Sequence, residues 1–551
     1  MNKPQLSEIL KTVQALTFAN PFGPERARQE QALLSKLGDH PGPLPISPAY
    51  SETFRRLLPW LQAADRELLE RGASERWREH TGKVEGGKME GGKMEGGKVK
   101  GGKVEGGKVE GGKVEGGKVE GGKAFPAEWR EYTASFAFFA LYHELSPNLD
   151  EIIAEPSNNS AKNRALYRKV QDGVAVRHAL IENASQKIWH QPEHLFACYY
   201  QLRRAFHAIH REIIGESQPI QALRARVWES VFTKDMMSYQ QWMFDAVGRF
   251  PTLILGPSGS GKELVARALG LARFLPYDPK SGNFADGPED SFYPINLSAL
   301  SETLIESELF GHRKGAFTGA FADRQGLFAL AGGYGSVFLD EIGDVRQSTQ
   351  VKLLRLLQSG EFQAIGDNQS LRYTGKIIAA THKDLAAEMK AGRFREDFYY
   401  RLCGDQIHTV SLREILADNP SELAHSVRYI IGKLVGPEGA AQLSDRILSE
   451  LQADLPAGYT WPGNFRELEQ AVRNCIVRGE YRSVASVPKQ ANIDTLYQGT
   501  ELNLDEWTRL YVRQAVDNYG SYRAAARQLE VDQRTVKKLA GFTDSNGQES
   551  T

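Results

Sequence analysis

One segment near the middle of the chain, residues 251–269, limits the possible folds more than any other. It reads PTLILGPSGSGKELVARAL, so a short apolar strand passes through a glycine-rich turn directly into a helix. Glycines permit backbone angles closed to other residues, which allows the N–H groups of such a turn to surround a phosphate at the helix N-terminus. We expect Lys262 to add a positive charge for the β- and γ-phosphates. The segment predicts a nucleotide site in an α/β domain, formed by Gly256, Pro257, Ser258, Gly259, Ser260, Gly261, Lys262 and Glu263.

A second apolar strand ends in two acidic residues. Residues 335–344 read GSVFLDEIGD, in which Asp340 and Glu341 follow the strand. Beside a phosphate-binding turn, the first carboxylate suits the coordination shell of Mg²⁺ and the second can polarise an attacking water. A plain strand end can carry the same letters, but the pairing with the glycine-rich turn favours ATP and Mg²⁺ as ligands. Glu263 stands where a serine or threonine ordinarily binds the Mg²⁺.

The third feature is a loop between these two motifs, ELFGHRKGAFTGA, residues 308–320. Gly311, Gly315 and Gly319 permit sharp backbone turns. Phe317 lies among them, where a soluble loop ordinarily carries a polar side chain. Nothing in this segment is needed to bind a nucleotide. The pattern indicates either a contact loop with an aromatic tip or a buried turn that places Phe317 in the core.

The letters GAFTGA, with the glycine-rich turn and the Asp-Glu pair, resemble the bacterial enhancer-binding proteins, which are the AAA+ activators of sigma-54 RNA polymerase. The resemblance runs from about Ile213 to Arg478 and includes the main motifs in order. In that family the glycine-rich turn usually ends in Gly-Lys-Glu, as it does here at Glu263. The resemblance implies ATP hydrolysis coupled to remodelling of the polymerase. It also implies that the sigma factor is contacted by Gly315, Ala316, Phe317, Thr318, Gly319 and Ala320.

The same resemblance gives roles to residues outside these motifs. Asn296 would hold the catalytic glutamate idle until the oligomeric ring is engaged. Thr381 and His382 would sense the γ-phosphate, although His382 stands where the family usually has asparagine. Gly215 would belong to the nucleotide site, and Arg466 would contact the nucleotide from a helical lid.

Two arginines in FREDFYYRL, Arg395 and Arg401, match the arginine fingers of the family. On their own they would be assigned to the protein surface. By the resemblance, they reach into the site of a neighbouring subunit and neutralise charge in the transition state. Catalysis between subunits requires a homo-oligomer, which the family analogy predicts to be a hexamer.

We therefore predict a multidomain protein with an α-helical N-terminal region, an α/β AAA+ ATPase with a helical lid, and a C-terminal three-helix unit of the helix-turn-helix type. The predicted boundaries are 1–210 for the N-terminal region, 211–408 for the α/β subdomain, 409–482 for the lid, 483–500 for a linker and 501–551 for the C-terminal domain.

The N-terminal region is interrupted at residues 82–123 by a pentad repeat of Gly-Gly-Lys-Val/Met-Glu. Two glycines in every five residues oppose a helix, and lysine and glutamate nearly cancel, so we expect a flexible tether. The alternative is a lysine comb that binds polyanions. The flanking segments, from Glu52 to Arg71 and beyond residue 135, have helical periodicity. His190 with His194, and His207 with His210, have a spacing that could hold a metal but is equally typical of a helix surface.

The C-terminal residues LDEWTRLYVRQAVDNYGSYRAAARQLEVDQRTVKKLA predict a helix followed by a helix-turn-helix that resembles the Fis-like domain of enhancer-binding proteins. A plain three-helix bundle would have the same apolar spacing. If the domain binds double-stranded DNA at an upstream site, the contacts would come from Arg534, Thr535, Lys537 and Lys538.

Composition and charge restrict the possible functions and locations of the protein. A net charge of −1 argues against an extensively basic surface, so any DNA contact is local. Three separated cysteines and the lack of an apolar N-terminal segment favour a cytoplasmic protein without a membrane anchor. Two other functions stay open: an AAA+ motor that remodels another protein or nucleic acid, and a repressor that binds nucleotide without hydrolysing it. The intact GAFTGA segment disfavours the first, and the Asp-Glu pair with both arginines disfavours the second.

Overall fold

The computed structural model describes residues 3–36, 127–154, 159–181, 187–285, 291–456, 458–481, 504–519 and 521–540. The pentad repeat, the helix predicted from Glu52 to Arg71 and the linker at 483–500 lie outside these residues. The chain divides into two compact units. The first contains the chain up to Ser426 together with Trp461–Arg466, and the second contains Val427–Thr460 and the chain from Glu467 onward.

The N-terminal part of the first unit is helical, as predicted. Its helices are α1 (Lys3–Phe18), α2 (Pro24–Lys36), α3 (Ala127–Ala154), α4 (Ser160–Val176), α5 (His178–Ile181) and α6 (Pro192–Glu212). One face of α6 is buried at Leu195, Tyr199 and Ile209. Phe196, Gln201 and other residues on its opposite side are buried too, because α6 lies between the N-terminal helices and the helix that follows the glycine-rich turn.

Eleven strands lie within the described part of the first unit. In chain order they are β1 (Thr252–Leu255), β2 (Tyr277–Asp278), β3 (Asn283–Phe284), β4 (Phe292–Asn296), β5 (Gly311–His312), β6 (Arg324–Gln325), β7 (Ser336–Asp340), β8 (Glu361–Phe362), β9 (Leu371–Arg372), β10 (Lys376–Thr381) and β11 (Asp405–His408). Five of them form one parallel sheet in the order β11-β1-β10-β7-β4, and the other six form three small antiparallel pairs. The α/β class is the one that the sequence predicts, and the structure adds that the main sheet is parallel.

Helices cover both faces of the five-stranded sheet. In chain order, the α-helices of this part of the chain are α7 (Gln218–Phe232), α8 (Met236–Ser238), α9 (Phe244–Val247), α10 (Lys262–Leu271), α11 (Glu302–Phe310), α12 (Leu327–Ala331), α13 (Gln347–Ser359), α14 (Leu385–Lys390), α15 (Glu396–Leu402) and α16 (Leu412–Asp418). Successive strand residues point to opposite faces. Ile254 and Phe338 therefore belong to a core shared with the N-terminal helices, while Leu253 and Val337 belong to a second core on the other face.

The remaining helices are α17 (Glu422–Asp454), which is broken at Gly436, then α18 (Asn464–Arg478), α19 (Leu504–Tyr519), α20 (Tyr522–Gln528) and α21 (Gln533–Leu539). The described part of the predicted lid is therefore helical. Helices α19 to α21 pack around Val512, Ala525 and Val536. Of the helices in the described residues, none is long and apolar enough to cross a membrane.

Candidate nucleotide site and contact loop

The glycine-rich turn has a backbone that only glycine adopts readily. Gly259 and Gly261 have φ angles of 74° and 84°, in the left-handed region. A Cβ on Gly256 would lie 2.0 Å from the Thr409 hydroxyl, and one on Gly259 would lie 2.4 Å from the Gly463 carbonyl oxygen. The turn is therefore held closely by neighbouring backbone and side chains, and α10 begins directly after it.

Lys262 is the first residue of α10 and its side chain is largely buried. Its Nζ donates hydrogen bonds to the carbonyl oxygens of Gly256 and Pro257, both at 3.1 Å. Burial lowers the pKa of Lys262, while the charges of Glu341 and Asp340 act in the opposite direction. The ammonium group thus lies inside the turn, near both carboxylates of the acidic pair.

Parallel pairing brings the ends of β1, β4, β7 and β10 to one edge of the sheet. Leu255 at the end of β1 is in register with Thr381, and Asn296 is in register with Asp340. Asp340 is half-buried, and its pKa is raised by burial and then by the charge of Glu341. Glu341 has a left-handed φ of 55°, which is uncommon outside glycine and typical of a functionally constrained position.

His382 contacts the second carboxylate of the pair. Its Nδ1 lies 2.8 Å from Glu341 Oε2, and its backbone N–H donates to the same oxygen at 3.4 Å. Asn296 does not have this contact. Its Nδ2 lies 3.5 Å from Asp340 Oδ2, and its Oδ1 accepts hydrogen bonds from Ser298. In this structure, the side chain that holds Glu341 comes from the end of β10 rather than from β4.

Arg466 contacts the glycine-rich turn, since its Nη1 donates to Ser258 Oγ at 2.8 Å. Asn464, which sequence reasoning missed, donates from Nδ2 to the Ser258 carbonyl oxygen and accepts from the Leu412 N–H. Asn464 has a φ of 52°, and its place after a Pro-Gly turn was the available signal. Thr409 was also missed. Its hydroxyl lies 2.6 Å from Ser260 Oγ, and only the fold brings the two together.

Gly215, the first residue of the predicted nucleotide set, lies before α7 with a φ of 119°. A Cβ at this position would come within 3.0 Å of Glu422 Oε2. The carboxylate of Glu422 accepts hydrogen bonds from the N–H groups of Glu216 and Ser217. The segment at Gly215 is therefore fixed by a buried carboxylate. Glu263, exposed in the first turn of α10, makes no such bond among the described residues.

The two predicted arginine fingers lie at opposite ends of α15. Arg395 is the N-cap residue and forms a bidentate ion pair with Asp397, at 2.9 and 2.7 Å. Arg401 is exposed in the last turn, and in the described part of the chain it has no ion-pair partner. Tyr400 beside it is 74% exposed. An exposed, uncompensated arginine next to an exposed aromatic ring is accessible at the protein surface.

The GAFTGA loop projects from the short β5–β6 pair. The three glycines predicted to turn the chain, Gly311, Gly315 and Gly319, all have positive φ angles. The N–H of Gly315 donates to the Ala320 carbonyl oxygen at 2.8 Å, which closes the loop. Arg313 anchors its base through ion pairs with Asp323 and Asp367, at 2.8 and 2.7 Å.

Phe317 is half-buried in this loop. Its ring packs edge-on against His312, with centroids 4.9 Å apart. Phe321, just after the loop, is 87% exposed and is the more exposed aromatic residue of the two. Phe317 is thus neither buried in the hydrophobic core nor fully exposed at the tip of the loop. Thr318 beside it is exposed.

The C-terminal helices place the predicted DNA-contacting residues on a common surface. Arg534, Thr535, Lys537 and Lys538 are all exposed on α21. Asp532 caps this helix by accepting from the Arg534 N–H, and the preceding turn passes through Glu530 at a φ of 54°. The predicted turn at 530–532 therefore lies between α20 and α21.

One histidine of each pair considered as a metal site has another partner. His194 Nε2 lies 2.8 Å from the Gln240 carbonyl oxygen, and His207 Nε2 lies 2.6 Å from Asp150. No cluster of three or more histidine, cysteine or acidic side chains suited to a metal occurs within the described ranges.

The nucleotide site could bind Mg²⁺ without such a cluster. This ion generally takes one or two carboxylates and completes its shell with phosphates and water. Asp340 offers a half-buried carboxylate whose pKa is raised first by burial and then by the charge of Glu341, and a bound cation would stabilise its charged form.

Comparison with known proteins identifies the domain that holds these residues. Residues 231–408 match the family described as the Sigma-54 interaction domain. The chain contains a sigma-54 interaction domain. That family belongs to the AAA+ ATPases, in agreement with the α/β fold and its parallel sheet. The resemblance to the sigma-54-dependent activators is thereby confirmed.

Two sequence relatives of the sigma-54 interaction domain support this assignment. The transcriptional regulatory protein ZraR of Salmonella typhimurium is 41% identical over 293 residues, which are 52% of this chain and 61% of that protein. The Nif-specific regulatory protein of Azotobacter vinelandii is 44% identical over 231 residues, 42% of this chain and 40% of that protein. The chain therefore spans between two fifths and three fifths of these relatives. The solved structure of NtrX from Brucella abortus with ATP is 20% identical, covers 67% of this chain and 80% of its own, and has a TM-score of 0.36.

The sigma-54 interaction domain contains nearly all of the predicted site. The glycine-rich turn, the acidic pair, His382, both candidate arginine fingers and the GAFTGA loop lie within residues 231–408. Gly215, Arg466 and the four residues on α21 lie outside it. The match thus covers the nucleotide and loop features, and it leaves the C-terminal helices to be interpreted from their own geometry.

Proposed function

We propose that the protein is an ATP-dependent activator of transcription that binds DNA upstream of a promoter, assembles into a ring, and remodels the sigma-54 RNA polymerase closed complex through residues 315–320. The observation that carries this proposal is the convergence of Lys262, Asp340 and Glu341 at the sheet edge, in the same domain that presents the GAFTGA loop.

By analogy with the family, we propose that this ring is a homo-hexamer. Its subunits would meet so that Arg401 of one faces the nucleotide site of the next. The exposure of Arg401 and its lack of an ion-pair partner within the described ranges support this arrangement. An arginine in this role stabilises the charge that develops as the γ-phosphate is transferred, an effect of about 10³ to 10⁵ in rate.

Each side chain of the site has a task in hydrolysis. Lys262 and the N–H groups of the glycine-rich turn bind the phosphates, and Arg466 contacts the same turn at Ser258. Asp340 is the residue that would hold Mg²⁺, which neutralises charge on the phosphates when it is bound. Glu341 orients the attacking water and polarises it. His382 holds the Glu341 carboxylate through the contact between Nδ1 and Oε2.

The GAFTGA loop is suited to transmit the effect of ATP hydrolysis to a protein partner. Its base is anchored by Arg313, whereas a Cβ on Gly315 or Gly319 would meet nothing within 4 Å. The loop therefore has open space beside these two glycines and an ion-paired attachment at its base. Phe317 rests on His312, and we propose that it leaves this contact to engage the sigma factor.

We propose that α20 and α21 form the helix-turn-helix that binds upstream DNA. The exposed Arg534 and Thr535 would approach base edges, while Lys537 and Lys538 would contact phosphates. The capped start of α21 and the tight turn at Glu530 support this interpretation.

A paired assay tests the proposal. Purified full-length protein is assayed for ATP turnover and for transcription by sigma-54 RNA polymerase from a template with an upstream binding site, alongside a Glu341→Gln variant. We expect the native protein to support both activities and the variant to support neither, although it still binds ATP. Turnover without sigma-54-dependent transcription would instead favour a motor that acts on another target, and nucleotide binding without turnover would favour a repressor.

A further inference from the structure

Three consecutive residues at the start of α18 form hydrogen bonds with the glycine-rich turn. Asn464 Nδ2 donates to the Ser258 carbonyl oxygen at 2.9 Å, and the Phe465 N–H donates to the Gly259 carbonyl oxygen at 3.1 Å. Arg466 Nη1 donates to Ser258 Oγ at 2.8 Å. The first two of these bonds hold main-chain carbonyl groups, whereas the third holds a side chain. The start of α18 therefore constrains the backbone of the turn itself.

The bond from Asn464 fixes the plane of one peptide group in the turn. The peptide bond between Ser258 and Gly259 is trans, and in a trans peptide the C=O and the following N–H point in opposite directions. Because the Ser258 carbonyl is directed at Asn464, the Gly259 N–H points away from it. Gly259 has no side chain of its own to restrict its backbone. The contact with Asn464 therefore helps to decide which side of the turn this N–H faces.

The side chain of Asn464 is 4% exposed and bonds to two groups of opposite kind. Its Oδ1 accepts from the Leu412 N–H at 3.0 Å, while its Nδ2 donates to the Ser258 carbonyl oxygen. Leu412 is the first residue of α16, so its N–H has no acceptor within that helix. An N–H only donates and a carbonyl oxygen only accepts, so the amide has a single orientation here. Neither an ionised carboxylate nor an apolar side chain of this size could bond to both groups.

The backbone at this position also suits asparagine. Asn464 has a φ of 52°, in the left-handed region that asparagine adopts more readily than most other residues with a side chain. Its N–H donates to the Trp461 carbonyl oxygen at 2.8 Å, which closes the turn before α18. The backbone conformation and the two amide bonds thus favour the same residue type.

We propose that Asn464 is a positioning residue for nucleotide binding, whose amide orients the peptide between Ser258 and Gly259 so that the Gly259 N–H faces the phosphates. This proposal rests on the nucleotide site described under the proposed function. Backbone N–H groups at the start of a helix are effective donors to phosphate. Asn464 differs in this role from Arg466, which adds a positive charge, because it acts only through the backbone of the turn.

Two substitutions separate the amide from the backbone conformation. Asn464→Gly keeps the left-handed conformation accessible and removes both side-chain bonds. Asn464→Asp keeps an acceptor for Leu412 but, when ionised, has no donor for Ser258. We expect each variant to bind ATP about tenfold more weakly or worse at about pH 8.5, because the Ser258 carbonyl loses its hydrogen bond. Asn368→Asp, at an exposed position, is the matched control and should bind ATP like the native protein.

The pH dependence of Asn464→Asp gives a readout that a general loss of stability would not give. A protonated carboxyl can donate to the Ser258 carbonyl as the amide does, and burial raises the pKa of a carboxyl group. Of the charged residues next in sequence on the elements that meet here, Lys262 and Arg466 favour the ionised form, while Glu414 and Glu467 favour protonation.

The ratio of native to variant affinity removes the titration of ATP itself from the comparison. For Asn464→Asp this ratio should fall to about threefold or less as the pH is lowered from about 8.5 to about 5.5. For Asn464→Gly the ratio should not change with pH, because the variant introduces no titrating group.

Affinities are measured by titration of the full-length proteins with ATP and Mg²⁺, and thermal melts show that each sample is folded at each pH. Native affinity in Asn464→Gly or Asn464→Asp at about pH 8.5 would overturn the positioning role and leave the nucleotide site intact. A ratio for Asn464→Asp that is independent of pH would also overturn it. Failure of the native protein to bind ATP would contradict the proposed function, and the role of Asn464 with it.

Discussion

His382 Nδ1 lies 2.8 Å from Glu341 Oε2, so the residue proposed to polarise the attacking water is held by the side chain that follows β10. Glu341 also has a left-handed backbone, and together the two constraints fix the direction of its carboxylate. Positioning of this kind affects the chemical step more than the binding of nucleotide.

We predict that His382→Ala lowers the turnover of ATP about tenfold or more and changes nucleotide affinity little. Steady-state kinetics and a nucleotide-binding titration check this, with His425→Ala as the control because His425 is exposed elsewhere. An unchanged turnover number, or a loss of affinity that accounts for the whole effect, would contradict the positioning role. His382→Asn should recover part of the activity, because an amide can also donate to the carboxylate.

Arg466→Ala should weaken nucleotide binding about tenfold, because it removes the hydrogen bond to Ser258 and a positive charge beside the phosphate-binding turn. A binding titration is the measurement. Arg473→Ala is the matched control, since Arg473 lies on the same helix and pairs with Glu469 on the surface. If the 2.8 Å contact causes the loss of affinity, the losses of binding free energy in Arg466→Ala and Ser258→Ala will not be additive in the double variant.

Mixing two inactive variants tests catalysis between subunits. Arg401→Ala and Glu341→Gln should each lose nearly all turnover and keep ATP binding. In an equal mixture, some interfaces pair an intact Glu341 with an intact Arg401 from the neighbour. Random assembly then predicts roughly one quarter of native turnover. A mixture no more active than its components would show that Arg401 does not complete a neighbouring site, and Arg413→Ala, at another exposed arginine, serves as the control.

Lys376 at the start of β10 predicts a dependence of stability on pH. Burial, followed by the charge of Arg273, lowers the pKa of this lysine to about 7, although Asp405 acts in the opposite direction. Between about pH 7 and the unfolded pKa of about 10.4, the unfolded chain binds the proton and the folded chain does not. The contribution of Lys376 to the free energy of unfolding therefore rises with pH across this window.

Lys376→Met should accordingly raise the midpoint of thermal unfolding by at least about 2 °C near neutral pH, with a smaller gain near the upper end of that window. Thermal melts across the pH range check this, with the exposed Lys390→Met as the control. A gain that is independent of pH would show that the lysine is not titrating in the folded protein.

Features of the site that depend on a single segment of the chain are predicted well from the sequence. The strand, glycine-rich turn and helix at residues 251–269, and the strand that ends in Asp340, are each determined by neighbours in the chain. The positive φ angles at Gly315 and Gly319 follow in the same way from the absence of a side chain.

Relationships that depend on tertiary packing could not be predicted. The contact between His382 and Glu341 joins two strand ends that are 41 residues apart. The burial of α6 on both sides depends on the N-terminal helices packing against α10, which no periodicity in α6 itself specifies. Phe317 resting on His312 likewise reflects the fold of the loop rather than its letters.

The most direct measurement of the central claim compares Phe317→Ala with native protein in two assays, ATP turnover and transcription by sigma-54 RNA polymerase from the same template. Phe250→Ala, at an exposed aromatic residue outside the loop, is the control. The account predicts that Phe317→Ala hydrolyses ATP at close to the native rate and supports no sigma-54-dependent transcription. A Phe317→Ala protein that still activates transcription at the native level would contradict it.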